Sequence, residues 1–344
     1  MTSSRFHQII SRYSQLKIAV VGDFCLDRYF EIDPARAEIS IETGLPVHNI
    51  VNVRCQPGGA GTIVNNLAAL GLGAIYPVGI AGTDGEGYEL RKALTSRYHV
   101  SLEYFHTIPD RNTFTYTKPL ICSPGETPRE LSRLDLKNWY PTPEGLQRKI
   151  ASSLLQIAPS VDAIILLDQV DIPDTGVITP LVLEAVATLA SRNPDLLILA
   201  DSRRSLRGYP EVGFKMNNAE LGRFLDQPAP ASLEQTLKAV EQLTTTHRKP
   251  VFVTLAGEGI VGWGSGAGVH HQPALPLRGQ IDVVGAGDSV MANLAAALAG
   301  GATTQEALCM AVIASSIVIH QLGTTGTATT EEMQHLGQAA GLIS

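Results

Sequence analysis

Four apolar runs punctuate the chain, and each ends in an acid or a glycine. They are "LKIAVVGDF" (16–24), "DAIILLD" (162–168), "DLLILAD" (195–201) and "PVFVTLAG" (250–257). A strand half-exposed to water alternates apolar and polar residues; these runs do not alternate, so they predict strands buried on both faces, as in a parallel sheet. Between them, "GTIVNNLAALG" carries Ile63, Asn66, Leu67 and Leu70 on one helical stripe and closes on Gly71. "TPLVLEAVATLASR" and "SLEQTLKAVEQL" also have helical period. Strands alternating with helices predict an α/β fold, a doubly wound and mostly parallel sheet with helices on both faces. Ligands of such folds sit outside the carboxyl ends of the strands.

Two regions break the alternation. Residues 24–56 hold "RYFEI" and "LPVHNIVNVRC", and 101–135 hold "SLEYFHTI", "NTFTYTKPLI" and "RELSRLD". Period-two alternation with aromatic and β-branched residues predicts antiparallel strands. The two insertions are expected to pair into a small β-sheet lid over the ligand crevice. With no repeat or low-complexity linker, 1–344 reads as one domain with a lid. A free edge on the lid strands makes a homodimer through the lid the expected assembly.

Composition narrows the partners. A net charge of −7 argues against duplex nucleic acid, which needs a basic face. The longest apolar helix candidate, "ALCMAVIASSIVI" (307–319), is too short for a membrane span, and "MTSSRFHQIISRYSQL" lacks a signal-peptide core. Cys25, Cys55, Cys122 and Cys309 form no CxxC pair, which predicts reduced thiols and a cytoplasmic protein.

Glycine clusters are the candidate chemistry. "GWGSGAG" (262–268) follows a strand without a helix after it and reads as a hairpin turn. "GLGAIYPVGIAGTDGEG" (71–87) lacks the GxGxxG fingerprint, and no lysine follows a glycine anywhere, so no P-loop is present. "DVVGAGDSVMANLAAALAGG" differs, because "GAGDS" directly precedes a strong helix former. A cap explains Asp288 or Ser289 alone. It does not explain two glycines and a second acid, Asp282. Glycines before a helix start let backbone N–H groups converge on an anion, which the helix dipole also favours. An aspartate beside that site can take a proton from an attacking hydroxyl. "QPGGAGTIVNNLAALG" (56–71) repeats the strand–glycine–helix order, and "GDFCLDRY" puts Asp23 and Asp27 beyond the first strand, where acids can bind sugar hydroxyls.

Together, "VVGDFCLDRY", "PGGAGTIVNNLAALG" and "DVVGAGDSV" resemble the ribokinase-like, PfkB carbohydrate kinases in order and spacing over roughly 16–330. "LSRLDL" and "IASSIVIHQLGTTGTAT" are similar to the kinase module of bacterial D-glycero-β-D-manno-heptose 7-phosphate enzymes. The resemblance implies ATP and Mg2+ and a sugar or sugar-phosphate substrate. By it, Asp288 is the catalytic base and Gly285, Ala286 and Gly287 form the anion hole. Asp27, Gly58, Gly59 and Thr62 fall at sugar-contacting positions. Asn217 and Glu220 fit an N-x-x-E element that organises phosphate and magnesium-bound water. Thr254, Gly257, Gly259 and Ser315 fall where the family lines its nucleotide site. Some members hold a monovalent cation, K+, which the resemblance would place near Asp282 and "LGTTG".

Departures from the family pattern concern the substrate. Thr62 stands where asparagine is usual, shortening or removing a contact to a substrate hydroxyl. Val284 replaces Thr or Ser, Val312 replaces the heptose enzymes' Asn, and Ala256 replaces a frequent glycine. After Asp168 the chain reads "QVDIPDTG" in place of a basic, lysine-containing loop. The nucleotidyltransferase domain sometimes fused to the heptose kinases has no counterpart in these residues. Arg133 and Arg203 are candidates for a phosphate already on the substrate, with solvated surface arginines as the competing interpretation. An aspartate of ordinary pKa, about 3.9, is a poor base, tolerable because phosphoryl transfer needs the proton late. The alternative is a non-catalytic sugar- or nucleotide-binding protein on this fold; a dinucleotide oxidoreductase is disfavoured by the missing fingerprint.

Overall fold

A computed structural model describes residues 1–264 and 268–344. The chain opens with α1 (Ser3–Ile10), β1 (Lys17–Gly22) and β2 (Phe24–Ile32), then β3 (Glu38–Ile39), β4 (Pro46–Val47) and β5 (Ile50–Gly59). Next come α2 (Ala60–Ala69), β6 (Ala74–Gly82), α3 (Gly85–Thr95), β7 (Phe105–Ile108), β8 (Phe114–Ile121), β9 (Arg129–Glu130) and β10 (Leu134–Leu136). The middle holds α4 (Glu144–Ile157), β11 (Ala163–Asp168), α5 (Pro180–Arg192), β12 (Leu197–Ser202), β13 (Gly213–Asn217), α6 (Asn218–Leu225) and α7 (Leu233–Thr244). The last part is β14 (Val251–Thr254), β15 (Ile260–Gly264), β16 (Gly268–Gln272), α8 (Ala286–Ala299), α9 (Thr304–Val318) and α10 (Thr330–Ala339).

Among the described residues nine strands form the main sheet, in the order β16-β15-β14-β13-β12-β11-β1-β6-β7. All pairs from β14 to β7 are parallel, and β14–β15–β16 is an antiparallel meander. The doubly wound expectation holds, and its cause is visible in β1. Ile18 and Val20 enter one core with α2, α8 and α9, while Ala19 and Val21 enter a second with α4, α5 and α7. A strand with two buried faces has no room for alternation. The order reverses beside β1, which makes the switch point where ligands of open α/β sheets bind.

A second sheet has the order β10-β8-β2-β5, with β9 also paired to β8. Two expectations are corrected here. "SLEYFHTI" supplies β7, which pairs in parallel with β6 at the edge of the main sheet. In the small sheet β2 runs parallel to β8, although its pairing with β5 is antiparallel. Alternating burial reports one covered face, not strand direction, so it could not separate these cases. The turn expected within 262–268 is flanked by the antiparallel pair β15 and β16, and its residues 265–267 lie outside the described residues. Strands β6 and β13 were not anticipated, because Pro77 and the glycines of one and the shortness of the other hid them. Among the described residues no helix is long and apolar enough to cross a membrane.

Candidate active site

Helix α8 begins where the two sheets meet. Gly285 caps it in the left-handed region (φ +83), with Thr325 and Thr62 close behind. A side chain there would be strained, which explains the first glycine of "GAGD". The Ala286 N–H donates to Val283 O (3.2 Å), so one of the three expected anion-hole residues spends its amide on closing the turn. Ser289 N–H returns to Gly285 O (2.9 Å). Of the other two, the Gly285 amide has no partner among the described residues, and the Gly287 amide lies with that of Asp288 in the unpaired first turn, where a helix start attracts anions.

Beside these amides sits a residue that the motifs did not flag. Lys215, 6% exposed on β13, extends its Nζ to Asp201 Oδ2 at 2.6 Å. A Cβ on Gly287 would lie 3.0 Å from that ammonium. Burial works against the charge of Lys215, but Asp201, then Asp288 and Glu220, hold its pKa above the usual lysine range. The ammonium therefore lies against the expected anion site, and a side chain at Gly287 would crowd it. A lysine preceding the N-x-x-E element in "KMNNAE" was the available signal.

Asp288 lies in the first turn of α8. Burial pushes its carboxyl up to about 7; Lys215 opposes this, Asp201 and Asp27 reinforce it, and Arg203 opposes it. The ordinary value near 3.9 is thus corrected, and the direction suits a base working near neutrality. Asp27 faces the same space from the lid, raised by burial and opposed by Lys118 at 3.8 Å. A Cβ on Gly58 would lie 2.6 Å from Asp27 Oδ2, and Gly59 (φ +55) would meet Asp23 O at 2.5 Å. Both glycines let β5 turn into α2, Gly58 against the Asp27 carboxylate and Gly59 against the Asp23 backbone carbonyl.

Other expected residues divide. Asp23 is removed from the sugar-binding list, since its carboxylate is buried and fully used. It accepts the N–H groups of Gln169 (2.8 Å), Val170 (3.1 Å) and Val177 (2.6 Å), fastening the loop after β11. Its pKa rises to about 6 through burial and the nearby Asp168, against those three hydrogen bonds. The unusual "QVDIPDTG" is the segment so fastened, and a Cβ on Gly176 would strike Asp23 Oδ1 at 2.3 Å. Thr62 is 1% exposed, its hydroxyl 3.5 Å from Pro57 O and its methyl toward Gly285. Thr62 therefore packs behind the cap of α8, in keeping with the expectation that its substrate contact is shortened or removed.

Asn217 and Glu220 form a capping box on α6: Asn217 Oδ1 accepts the Glu220 N–H (2.9 Å) and Glu220 Oε2 accepts the Asn217 N–H (2.7 Å). Among the described residues Glu220 Oε1 accepts no hydrogen bond, and Arg223 stands 3.9 Å away. Among the described residues no group of three His, Cys, Asp or Glu is placed to hold a metal directly. Such a donor set fits an ion held through water, as the N-x-x-E element implies. Thr254 Oγ1 leans on Met216 O (3.4 Å), and Ser315 Oγ on Val312 O (3.2 Å). Gly257 borders open space, whereas Gly259 (φ +97) would collide with Gln272 O at 2.1 Å. Asp282 ties two loops, accepting the N–H groups of Val284 (3.0 Å) and Gly323 (3.2 Å).

The inner face of the lid carries cations paired with acids, among them Arg54 with Glu31 at 2.7 Å. Register puts Asp27 and Tyr29 of β2 beside Gln56 and Arg54 of β5 and Tyr116 and Lys118 of β8. Arg54 and Lys118 lie over the Tyr29 ring at 4.7 and 4.9 Å, and Arg133 over Tyr116 at 4.9 Å. Arg133 also grips Asp135 with two bonds, at 2.6 and 2.8 Å. Arg203 is exposed at the end of β12.

Comparison with known proteins fits this geometry. The description "pfkB family carbohydrate kinase" matches residues 177–331. The bifunctional protein HldE of Hyphomonas neptunium is 32% identical over 343 residues, covering 99% of this chain and 67% of that protein. HldE of Trichlorobacter lovleyi is 29% identical, covering 96% of this chain and 65% of that protein. The chain thus spans about two thirds of the length of these curated relatives. Among solved structures, Arabidopsis thaliana ribokinase complexed with ribose and ATP superposes with a TM-score of 0.68 at 21% identity, over 93% of this chain and 98% of that one. Escherichia coli phosphofructokinase-2 in complex with fructose-6-phosphate gives 0.69 at 18%, over 95% and 99%. The fold, the glycine-led helix start and the relatives matched along nearly the whole chain agree: the chain belongs to the pfkB family of carbohydrate kinases.

Proposed function

We propose that this chain transfers the γ-phosphoryl group of ATP to a hydroxyl of a phosphorylated sugar, a heptose 7-phosphate being the substrate its family resemblance suggests. The observation that carries the proposal is Asp288, a carboxyl with a pKa near 7 at a helix start, beside two open amides and a buried lysine. The acceptor oxygen bonds to the γ-phosphorus, the bond from that phosphorus to the bridging oxygen of ADP breaks, and the acceptor proton passes to Asp288 Oδ. Amides of Gly287 and Asp288 and the Lys215 ammonium meet the charge that develops on the transferred group. Asp27 orients the sugar from above, and the lid excludes water that would otherwise attack ATP. Magnesium, held through water by Glu220 with Asn217 alongside, supplies charge neutralisation at the phosphates when bound. Thr254, Gly257, Gly259 and Ser315 border the nucleotide in this proposal, and Asp282 lies in the vicinity of any K+.

The cations of the lid support a phosphate on the acceptor. Arg54, Lys118 and Arg133 are each paired with an acid, Glu31 (2.7 Å), Asp27 (3.8 Å) and Asp135 (2.6 Å), and an acceptor phosphate would share them. The loop after β11 is acidic here, with Asp171 paired to Lys137 at 3.0 Å, so the cations come from the lid and from Arg203. Replacing Arg203 by alanine is expected to raise KM for a phosphorylated acceptor by about tenfold or more, because a charge-assisted hydrogen bond is worth about 1.5–3 kcal/mol. KM for the dephosphorylated sugar should not move. Equal shifts for both acceptors, or none, would return Arg203 to the solvated surface.

We propose also that two copies pair through the lid in the cytoplasm. Support lies in the apolar outer lid and its arm, where Ile41 is 98% exposed and Ile39, Leu45, Val51 and Val53 are exposed with it. Single apolar side chains on a surface are ordinary, but a contiguous set marks an interaction site. Sedimentation at micromolar concentration should give a dimer that Ile41→Glu with Val53→Glu converts to monomer. A monomeric unaltered protein would remove the lid interface.

A further inference from the structure

Residues 273–285 connect β16 to the anion site without helix or strand, and most of them are exposed. The connection is nonetheless fixed to the end of α9 at two points. Asp282 N–H donates to Ile319 O (2.8 Å), and its carboxylate holds Gly323. The other point is His320. Its Nε2 lies 2.9 Å from the Arg278 backbone nitrogen, and its Nδ1 lies 2.6 Å from Ser316 O. A backbone carbonyl can only accept, so Nδ1 carries the proton and Nε2 accepts from the Arg278 N–H. The imidazole is therefore neutral, in one tautomer, with both nitrogens occupied. The Arg278 guanidinium closes the arrangement by donating to Ser316 O at 2.9 Å.

Position gives this contact its consequence. At its start the connection passes Gly259, where a Cβ would meet Gln272 O at 2.1 Å and Ala274 N at 2.6 Å. At its end stands Gly285, the cap of α8. Midway it crosses α9 at Ser316 and His320, beside Ser315. The connection thus runs from the 257–259 turn past the end of α9 to the cap of α8, elements whose residues the proposed function assigns to the nucleotide and the transferred phosphate. An exposed segment without regular structure has little packing to hold it, so each long-range hydrogen bond sets a large part of its order.

We infer that His320 is a positioning residue: by accepting the Arg278 amide it holds the 273–285 connection as one wall of the nucleotide site. It touches neither substrate nor reacting atoms, and acts through the backbone it fixes. The nucleotide assignment rests on the proposed function; the fastening of the connection does not.

Two substitutions separate the acceptor from the rest of the ring. His320→Asn keeps a donor near Nδ1 for Ser316 O and loses the acceptor at Nε2. His320→Gln carries an acceptor out to the Nε2 position. Backbone amide hydrogen exchange over 276–284 and steady-state kinetics with ATP are to be measured on the full chain. The expected result for His320→Asn is exchange about five- to tenfold faster, the loss of one net hydrogen bond, with KM for ATP raised similarly and kcat within twofold. His320→Gln should restore both. Unchanged exchange in the Asn variant, or a Gln variant no better than Asn, overturns the inference. If the unaltered protein turned over no ATP, the proposed function would fail while the exchange result still decided the clamp.

Discussion

Replacing Asp288 by asparagine is expected to lower kcat by about a hundred- to ten-thousand-fold, the usual contribution of a positioned acid or base. KM for ATP should stay within a few-fold, because the amides of the first turn and Lys215 remain. The same substitution should stabilise the protein. A carboxyl whose pKa rises from 3.8 unfolded to about 7 folded binds its proton more tightly in the native state. Stability therefore falls as pH rises through that interval, and the full deficit is present above about 7. Asparagine removes the deficit, so the variant should gain about 2–4 kcal/mol at pH 8, since a tenfold change in proton affinity is worth about 1.4 kcal/mol. Below about pH 4 the two proteins should converge. Urea titrations at pH 8 and pH 4, beside turnover, check both arms. Retained turnover would remove Asp288 as the base; loss of stability at pH 8 would show that its charge is well accommodated.

Lys215 carries the second large effect. Removing it alone would leave Asp201 buried without a partner, a change that typically costs about 3–5 kcal/mol and can prevent folding. The informative variant is Lys215→Met with Asp201→Asn, which removes both charges together. It should fold, with a circular dichroism spectrum like that of the unaltered chain, and lose about a hundred- to a thousand-fold in kcat, the scale of losing one electrostatic donor at a developing anion. Turnover within threefold would mean that Lys215 serves only to neutralise Asp201. The distinction matters because the Lys215 ammonium lies 3.0 Å from where a Cβ on Gly287 would stand.

Much of the architecture was legible because its causes are local. Runs buried on both faces exposed β1, β11, β12 and β14, and "GAGDSVMANLAAALA" exposed the start of α8 and the acid in its first turn. Strand direction was not legible, since β7 and β8 alternate alike and only tertiary pairing sends one to the main sheet and the other to the lid. The site was legible in its glycines and less so in its charges. Asp23 and Asp27 look equivalent in "GDFCLDRY", yet one is consumed by three amides and the other faces the cavity. No spacing rule reveals that. Nor does any motif announce the burial that lifts Asp288, because it is assembled from α8, β12, β13 and the lid.

The measurement closest to the central claim is acceptor-stimulated release of ADP from ATP by the unaltered protein, across paired sugars and sugar phosphates including heptose 7-phosphates. At least one phosphorylated sugar should stimulate release a hundredfold or more over ATP alone, with its dephosphorylated partner well behind. No stimulation by any acceptor, together with measurable sugar or nucleotide binding, would contradict the account and leave a binding protein on a kinase fold.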